Sequence, residues 1–120
     1  MEVTEARKLT VYICDDDRYG RKPLSRCVVN LLLEEGVWGA SVLHGIEGYG
    51  CDKRIHTAKI LDLSSHLPIL VVAVDLKEKI EAVVPKVNEM MGGHGLVTVE
   101  RVEIVSPLPS TLAQRAESLA

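Results

Sequence analysis

The chain has 120 residues, 47% of them hydrophobic and 26% charged, with 14 basic against 17 acidic side chains. That length holds one domain, and the apolar fraction is that of a globular fold rather than a disordered chain. The formal charge of −3 excludes a broad electrostatic grip on nucleic acid. Tyr12, Tyr19, Trp38 and Tyr49 are the only aromatics, so the core is aliphatic and a base-stacking platform has little to work with. Cys14, Cys27 and Cys51 form no C-x-x-C pair, which points to reduced thiols in a cytoplasmic protein. Met1 to Thr10 holds no signal-peptide run, and Leu67 to Val74 is too short to cross a bilayer.

Residues 1–7 read as an N-terminal tail. From Lys8 to Cys14 the chain alternates, with Leu9, Val11 and Ile13 on one face, as a half-buried strand does. The run Asp15-Asp16-Asp17-Arg18-Tyr19-Gly20 supplies a turn. Leu24, Cys27, Val28, Leu31 and Leu32 then form one helical stripe, entered at Pro23 and stopped at Gly36. A second strand runs from Ala40 to Ile46 and leads into Gly45-Ile46-Glu47-Gly48-Tyr49-Gly50. Cys51 to Thr57 is polar and aperiodic, a loop from which Lys59 to Leu63 could continue a strand. The apolar run from Leu67 to Val74 predicts a central strand covered on both faces, with Pro68 at its start.

Asp75, with Glu78 three residues on, predicts a capped helix with Leu76, Ile80, Val83, Val84, Val87, Met90 and Met91 inward and a kink at Pro85. Gly92-Gly93-His94-Gly95 ends it. In the last strand Val97 and Val99 are out of phase with Val102 and Ile104, which predicts a β-bulge near Glu100 and Arg101. Residues 106–120 read as a C-terminal tail, loosely ordered or holding a short helix.

The order β-α-β-β-α-β predicts an α+β ferredoxin-like sandwich over residues 8–105, a four-stranded antiparallel sheet with two helices on one face. That fold serves many activities, so function rests on local chemistry. Gly45, Gly48 and Gly50, followed by Arg54, His56 and Lys59, combine close backbone approach with a planar cation and suit a phosphate. Gly93 and Gly95 offer a second backbone-lined anion pocket. No two histidines stand at metal-ligand spacing, so no metal site is expected, and Asp15-Asp16-Asp17 reads as a solvated turn. No nucleophile elbow or other catalytic motif occurs, and no enzymatic activity is expected.

The strand Leu9 to Ile13, the turn Gly20-Arg21-Lys22-Pro23-Leu24, Gly45 to Gly50, the block Arg54-Ile55-His56-Thr57-Ala58-Lys59-Ile60-Leu61 and Leu67-Pro68-Ile69 together resemble the family called domain of unknown function 190, over about Lys8 to Val105. That family is similar in fold to the PII signalling proteins, trimers that bind adenine nucleotides between subunits. In this PII-like reading, Gly48-Tyr49-Gly50 stands where the mobile PII loop opens. Gly92 to Gly95 stands at the phosphate-binding loop, and Arg101 lies near a basic position that follows it. The loop 51–58 is much shorter than a PII loop. The resemblance implies a homotrimeric sensor with an adenine nucleotide, and no prosthetic group, at Gly45, Gly48, Tyr49, Gly50, Arg54, His56, Lys59, Gly93, Gly95 and Arg101. Its loop would regulate a partner such as a membrane transporter or an enzyme. The competing expectation is a small enzyme acting on a phosphorylated metabolite in the same cleft.

Overall fold

The computed structural model describes residues 2–52, 54–57, 66–105 and 107–119. In chain order it contains β1 (Val3–Cys14), β2 (Arg18–Tyr19), β3 (Lys22–Pro23), α1 (Leu24–Glu34), β4 (Ala40–His44), β5 (Glu47–Gly48), β6 (His56–Thr57), β7 (Pro68–Leu76), α2 (Lys77–Met91), β8 (Leu96–Val105) and α3 (Ser110–Leu119). The main sheet has the order β4-β7-β1-β8, every neighbouring pair antiparallel. This is the expected α+β ferredoxin-like arrangement. The extension predicted for Lys59 to Leu63 lies outside the described residues.

Leu9, Val11 and Ile13 of β1 join Val71 and Ala73 of β7 in one buried cluster with Leu24, Val28 and Leu32 of α1 and Ile80, Val83, Val87 and Met91 of α2. The alternation of β1 and the helical stripes thus meet as the apolar periods require. The opposite face presents a row of paired residues running across all four strands: Leu43 with Leu70, Leu70 with Tyr12, and Tyr12 with Leu96. Leu43, Tyr12 and Leu96 are 51%, 40% and 59% exposed.

Three expectations need correction. First, residues 3–7 are not a tail, because β1 begins at Val3 and pairs with β8 from its first residue. Ala6 and Arg7 are buried there. Arg7 donates to the Ala6 carbonyl at 2.9 Å and to Glu5 Oε1 at 3.0 Å. That second hydrogen bond, helped by the charge of Arg7, holds the Glu5 carboxyl below its usual range.

Second, β8 has no bulge, since its register to β1 is unbroken from Leu96 opposite Tyr12 to Val105 opposite Val3. Val97 and Val99 lie on the helix side, across from Val11 and Leu9, whereas Val102 and Ile104 lie on the other face of the same regular strand. The apolar face changes along the strand while the backbone stays continuous.

Third, Asp75 does not cap α2. It lies near the end of β7, fully buried, and α2 starts from Leu76 without a side-chain cap. The Asp75 carboxylate instead accepts the Leu76 N–H at 2.6 Å, the Trp38 N–H at 2.8 Å and two hydrogen bonds from Arg115, both at 2.8 Å. Those bonds also show why, of the two forms expected for the C-terminal segment, it takes the short helix rather than the loosely ordered one. Arg115 sits on α3, a ten-residue helix that also buries Leu112. α2 runs through Pro85 as one helix. Among the described residues no helix is long and apolar enough to cross a membrane.

Candidate functional site

At the end of the sheet where β1 finishes and β8 begins lies a cavity of about 500 Å³. Tyr12, Ile13 and Cys14 of β1 form one wall and Leu96 of β8 another, with Pro68 at the start of β7. Gly93, His94 and Gly95 of the α2–β8 turn and Tyr49, Gly50 and Cys51 after β5 complete it, with Asp17.

The α2–β8 turn fits against β1 only because it is built from glycine. Gly95 has φ +63°, and a Cβ there would run into the Tyr12 carbonyl oxygen and lie 2.7 Å from Met91 Cε. A side chain would therefore have to push the turn off the strand. Gly45 has a different role. It donates its N–H to the Pro68 carbonyl at 2.8 Å, and a Cβ would meet Pro68 Cγ at 2.5 Å. It seats the glycine-rich segment on β7, outside the cavity lining.

The structure thus brings Tyr49, Gly50, Gly93 and Gly95 to one place. Gly48 packs beside Pro68 and pairs with His56 in the β5–β6 hairpin. Arg54 is exposed in the loop of that hairpin, its N–H donating to Asp52 Oδ1 at 2.8 Å. Arg101 lies elsewhere. It is five residues along β8 from Leu96, about 17 Å at strand spacing, and lines a different hollow with Val3, Glu5 and Glu103. Lys59 falls outside the described residues.

Among the described residues no Lys or Arg lines the cavity. Its charged groups are Asp17 and, when protonated, His94. Asp17 Oδ2 accepts the Cys14 N–H at 3.0 Å, while Oδ1 is 4.0 Å from His94 Nδ1. The neighbouring Asp16 pairs with His66 at 2.9 Å. The acidic run after β1 is therefore not simply a solvated turn.

The expectation of three reduced thiols is also corrected. Cys14 and Cys51 form a disulfide across 37 positions of sequence, with Cα atoms 5.5 Å apart, and Cys27 is free and buried. Nothing in the local spacing signals this bond. Only the packing of the segment after β5 against the end of β1 brings the two sulfurs together. The expected loop is thus tied at its first residue. A hydrogen bond of 3.1 Å from the Thr57 hydroxyl to Glu47 Oε1 ties it across β5 and β6.

A UPF0166 protein of Aquifex aeolicus is 34% identical over 106 residues, covering 88% of this chain and 98% of its own. Among solved structures, CPII of Thiomonas intermedia K12, a nitrogen regulatory PII-like protein solved with ADP and bicarbonate, superposes with a TM-score of 0.66 at 17% identity, over 88% of this chain and 94% of that one. CutA1 of Oryza sativa superposes with a TM-score of 0.50 at 13% identity, over 96% and 94%. At such identities the likeness is one of fold, and the fold is PII-like. The model of DUF190, an "Uncharacterized ACR" family, matches residues 6–104, and the chain belongs to that family.

Proposed function

We propose that the chain is a sensor, not a catalyst, that binds an adenine nucleotide in the cavity between the α2–β8 turn and the Tyr49–Cys51 segment. The observation that carries this reading is the convergence of Gly50 with Gly93 and Gly95, remote in sequence, on one cavity. CPII, of the same fold, was solved with ADP and bicarbonate, and with AMP as well. Backbone N–H groups of the two turns would meet the phosphates, as anion-binding concavities do. Tyr12, Tyr49 and Leu96 supply apolar surface for the base. The positive charge comes from the hairpin loop, with Arg54 as its cation, and a partner transporter or enzyme reads the loop's position.

Titration of AMP, ADP, ATP and a cyclic nucleotide by calorimetry tests this directly. One nucleotide per chain, bound without turnover, is the expected result. Absence of heat with all four overturns it, and steady product formation would replace the sensor with a small phosphate-processing enzyme. Arg54→Ala should weaken binding on the order of tenfold to a hundredfold, the low end for losing a charge-assisted contact at an open site. Arg26→Ala, an exposed cation of α1, should leave affinity unchanged. Arg7 is unsuitable as that control because it is buried.

The same reading includes a homotrimer. Leu43, Leu70, Tyr12 and Leu96 form an apolar row on the face away from α1 and α2, and such a surface calls for cover. Tyr12 and Leu96 belong both to that row and to the cavity, so copies packed face to edge around a threefold axis would bury the row and complete the site. Sedimentation equilibrium should give a species three times the 13.2 kDa chain mass. A monomer at micromolar concentration would remove the intersubunit site.

A further inference from the structure

Four side chains lining the cavity carry atoms that ligate transition metals: Cys14, Cys51, Asp17 and His94. The Cys14 sulfur lies within 4.8 Å of a carboxylate oxygen of Asp17 and of one of Asp16, which is itself paired with His66. Asp17 Oδ1 is 4.0 Å from His94 Nδ1, and Cys51 is bonded to Cys14. We propose that these residues form a thiol-gated site for a borderline-soft divalent ion of the zinc class, closed while the disulfide stands and opened by its reduction.

A disulfide sulfur is neutral and a poor ligand, whereas a thiolate is a strong one. A dithiol reductant delivers two electrons and two protons to the Cys14–Cys51 bond. The S–S bond breaks, two thiols form, and the reductant leaves as its own disulfide. Metal binding then displaces both thiol protons to solvent. The resulting donors are two sulfurs, one imidazole nitrogen and one carboxylate oxygen, a set that selects zinc over the oxygen-seeking calcium and magnesium.

Cys14 and Asp17 already stand together, while His94 and Cys51 must close on them. In a tetrahedral site the two sulfurs sit about 3.8 Å apart and the nitrogen and oxygen slightly closer together, so the observed 4.0 Å between His94 and Asp17 is already close to an edge of that figure. The second oxygen of Asp17 is held by the Cys14 N–H at 3.0 Å, the kind of outer hydrogen bond that orients a ligating carboxylate. Cys51 and His94 are the ligands that must move, and they lie after the short β5 strand and in the α2–β8 turn rather than within the main sheet. No part of this depends on the nucleotide reading.

The test uses the full chain reduced with a phosphine, which adds no thiol of its own, and Co²⁺ as the spectroscopic probe. One Co²⁺ per chain is expected, with a thiolate-to-cobalt charge-transfer band and tetrahedral d–d bands, all abolished by Zn²⁺. The oxidised chain should show none of these. Cys51→Ser should keep roughly half the charge-transfer intensity, one thiolate of two remaining. His94→Ala, at an exposed position, should weaken cobalt binding about tenfold or more. A reduced wild-type chain without the charge-transfer band overturns the proposal without any substitution. So does unchanged affinity in His94→Ala. Nucleotide calorimetry on the oxidised, metal-free chain is scored separately, so either reading can fail alone.

Discussion

Arg115→Ala should lower the stability of the chain by about 3 kcal/mol, the low end for breaking a buried ion pair by removing one partner. Asp75 is 0% exposed and accepts two 2.8 Å hydrogen bonds from the Arg115 guanidinium, which is itself 30% exposed. Without them the carboxylate retains only the backbone N–H groups of Trp38 and Leu76. Arg7 stands across the ladder from Asp75, but it directs its guanidinium to Ala6 and Glu5. Urea melts followed by circular dichroism would read both the lost stability and the loosening of α3. Arg115→Lys should recover only part of the loss, because an ammonium cannot reproduce the two-pronged contact. A change below about 1 kcal/mol, the range of exposed pairs, would mean that α3 is not held by its charge.

Gly95→Val is expected to destabilise the fold by about 3 kcal/mol, from a backbone conformation that a branched side chain resists and a clash that cannot be relieved by rotation. The obstruction is the Tyr12 carbonyl, part of the β1 backbone, which occupies the space the first side-chain carbon would need. Gly93→Ala provides the comparison. Its φ of +86° carries the conformational cost, but nothing lies within 4 Å of the added carbon, so about 1 kcal/mol is expected. The difference between the two midpoints in a thermal melt isolates the close approach of the turn to β1. Equal melting temperatures would show that the turn can move away from Tyr12 freely.

The sheet and its two covering helices were legible in the sequence because their signals are local. Leu9, Val11 and Ile13 alternate, and Leu24, Cys27, Val28 and Leu32 recur at helical spacing. The start of the N-terminal strand was not, and the C-terminal helix was legible only as one of two alternatives, because the order of both ends comes from remote partners. Val3 is fixed by Val105, and α3 by Asp75. Asp75 and Glu78 had the spacing of a helix cap, yet a buried carboxylate is better matched by a guanidinium added to its backbone donors than by backbone N–H groups alone. The shift in apolar phase along β8 has two readings on paper, a bulge or a change of face, and only the strand register separates them. At the site, the glycines announced themselves as residues able to approach a neighbour closely. The Cys14–Cys51 pair, and the Asp17–His94 approach beside it, depend on how the segments after β5 and α2 fold back onto β1.

The bond between Asp75 and Arg115 joins a position inside the family's shared region, residues 6–104, to one beyond it. This places an evolutionary constraint on both. A chain that kept the PII-like core but dispensed with the last helix would inherit a buried negative charge with no cation to answer it, and a neutral or apolar side chain at that strand end would serve it better. The C-terminal helix and the acid at the end of β7 are therefore expected to be gained and lost together across relatives, as one heritable unit written in two distant parts of the chain.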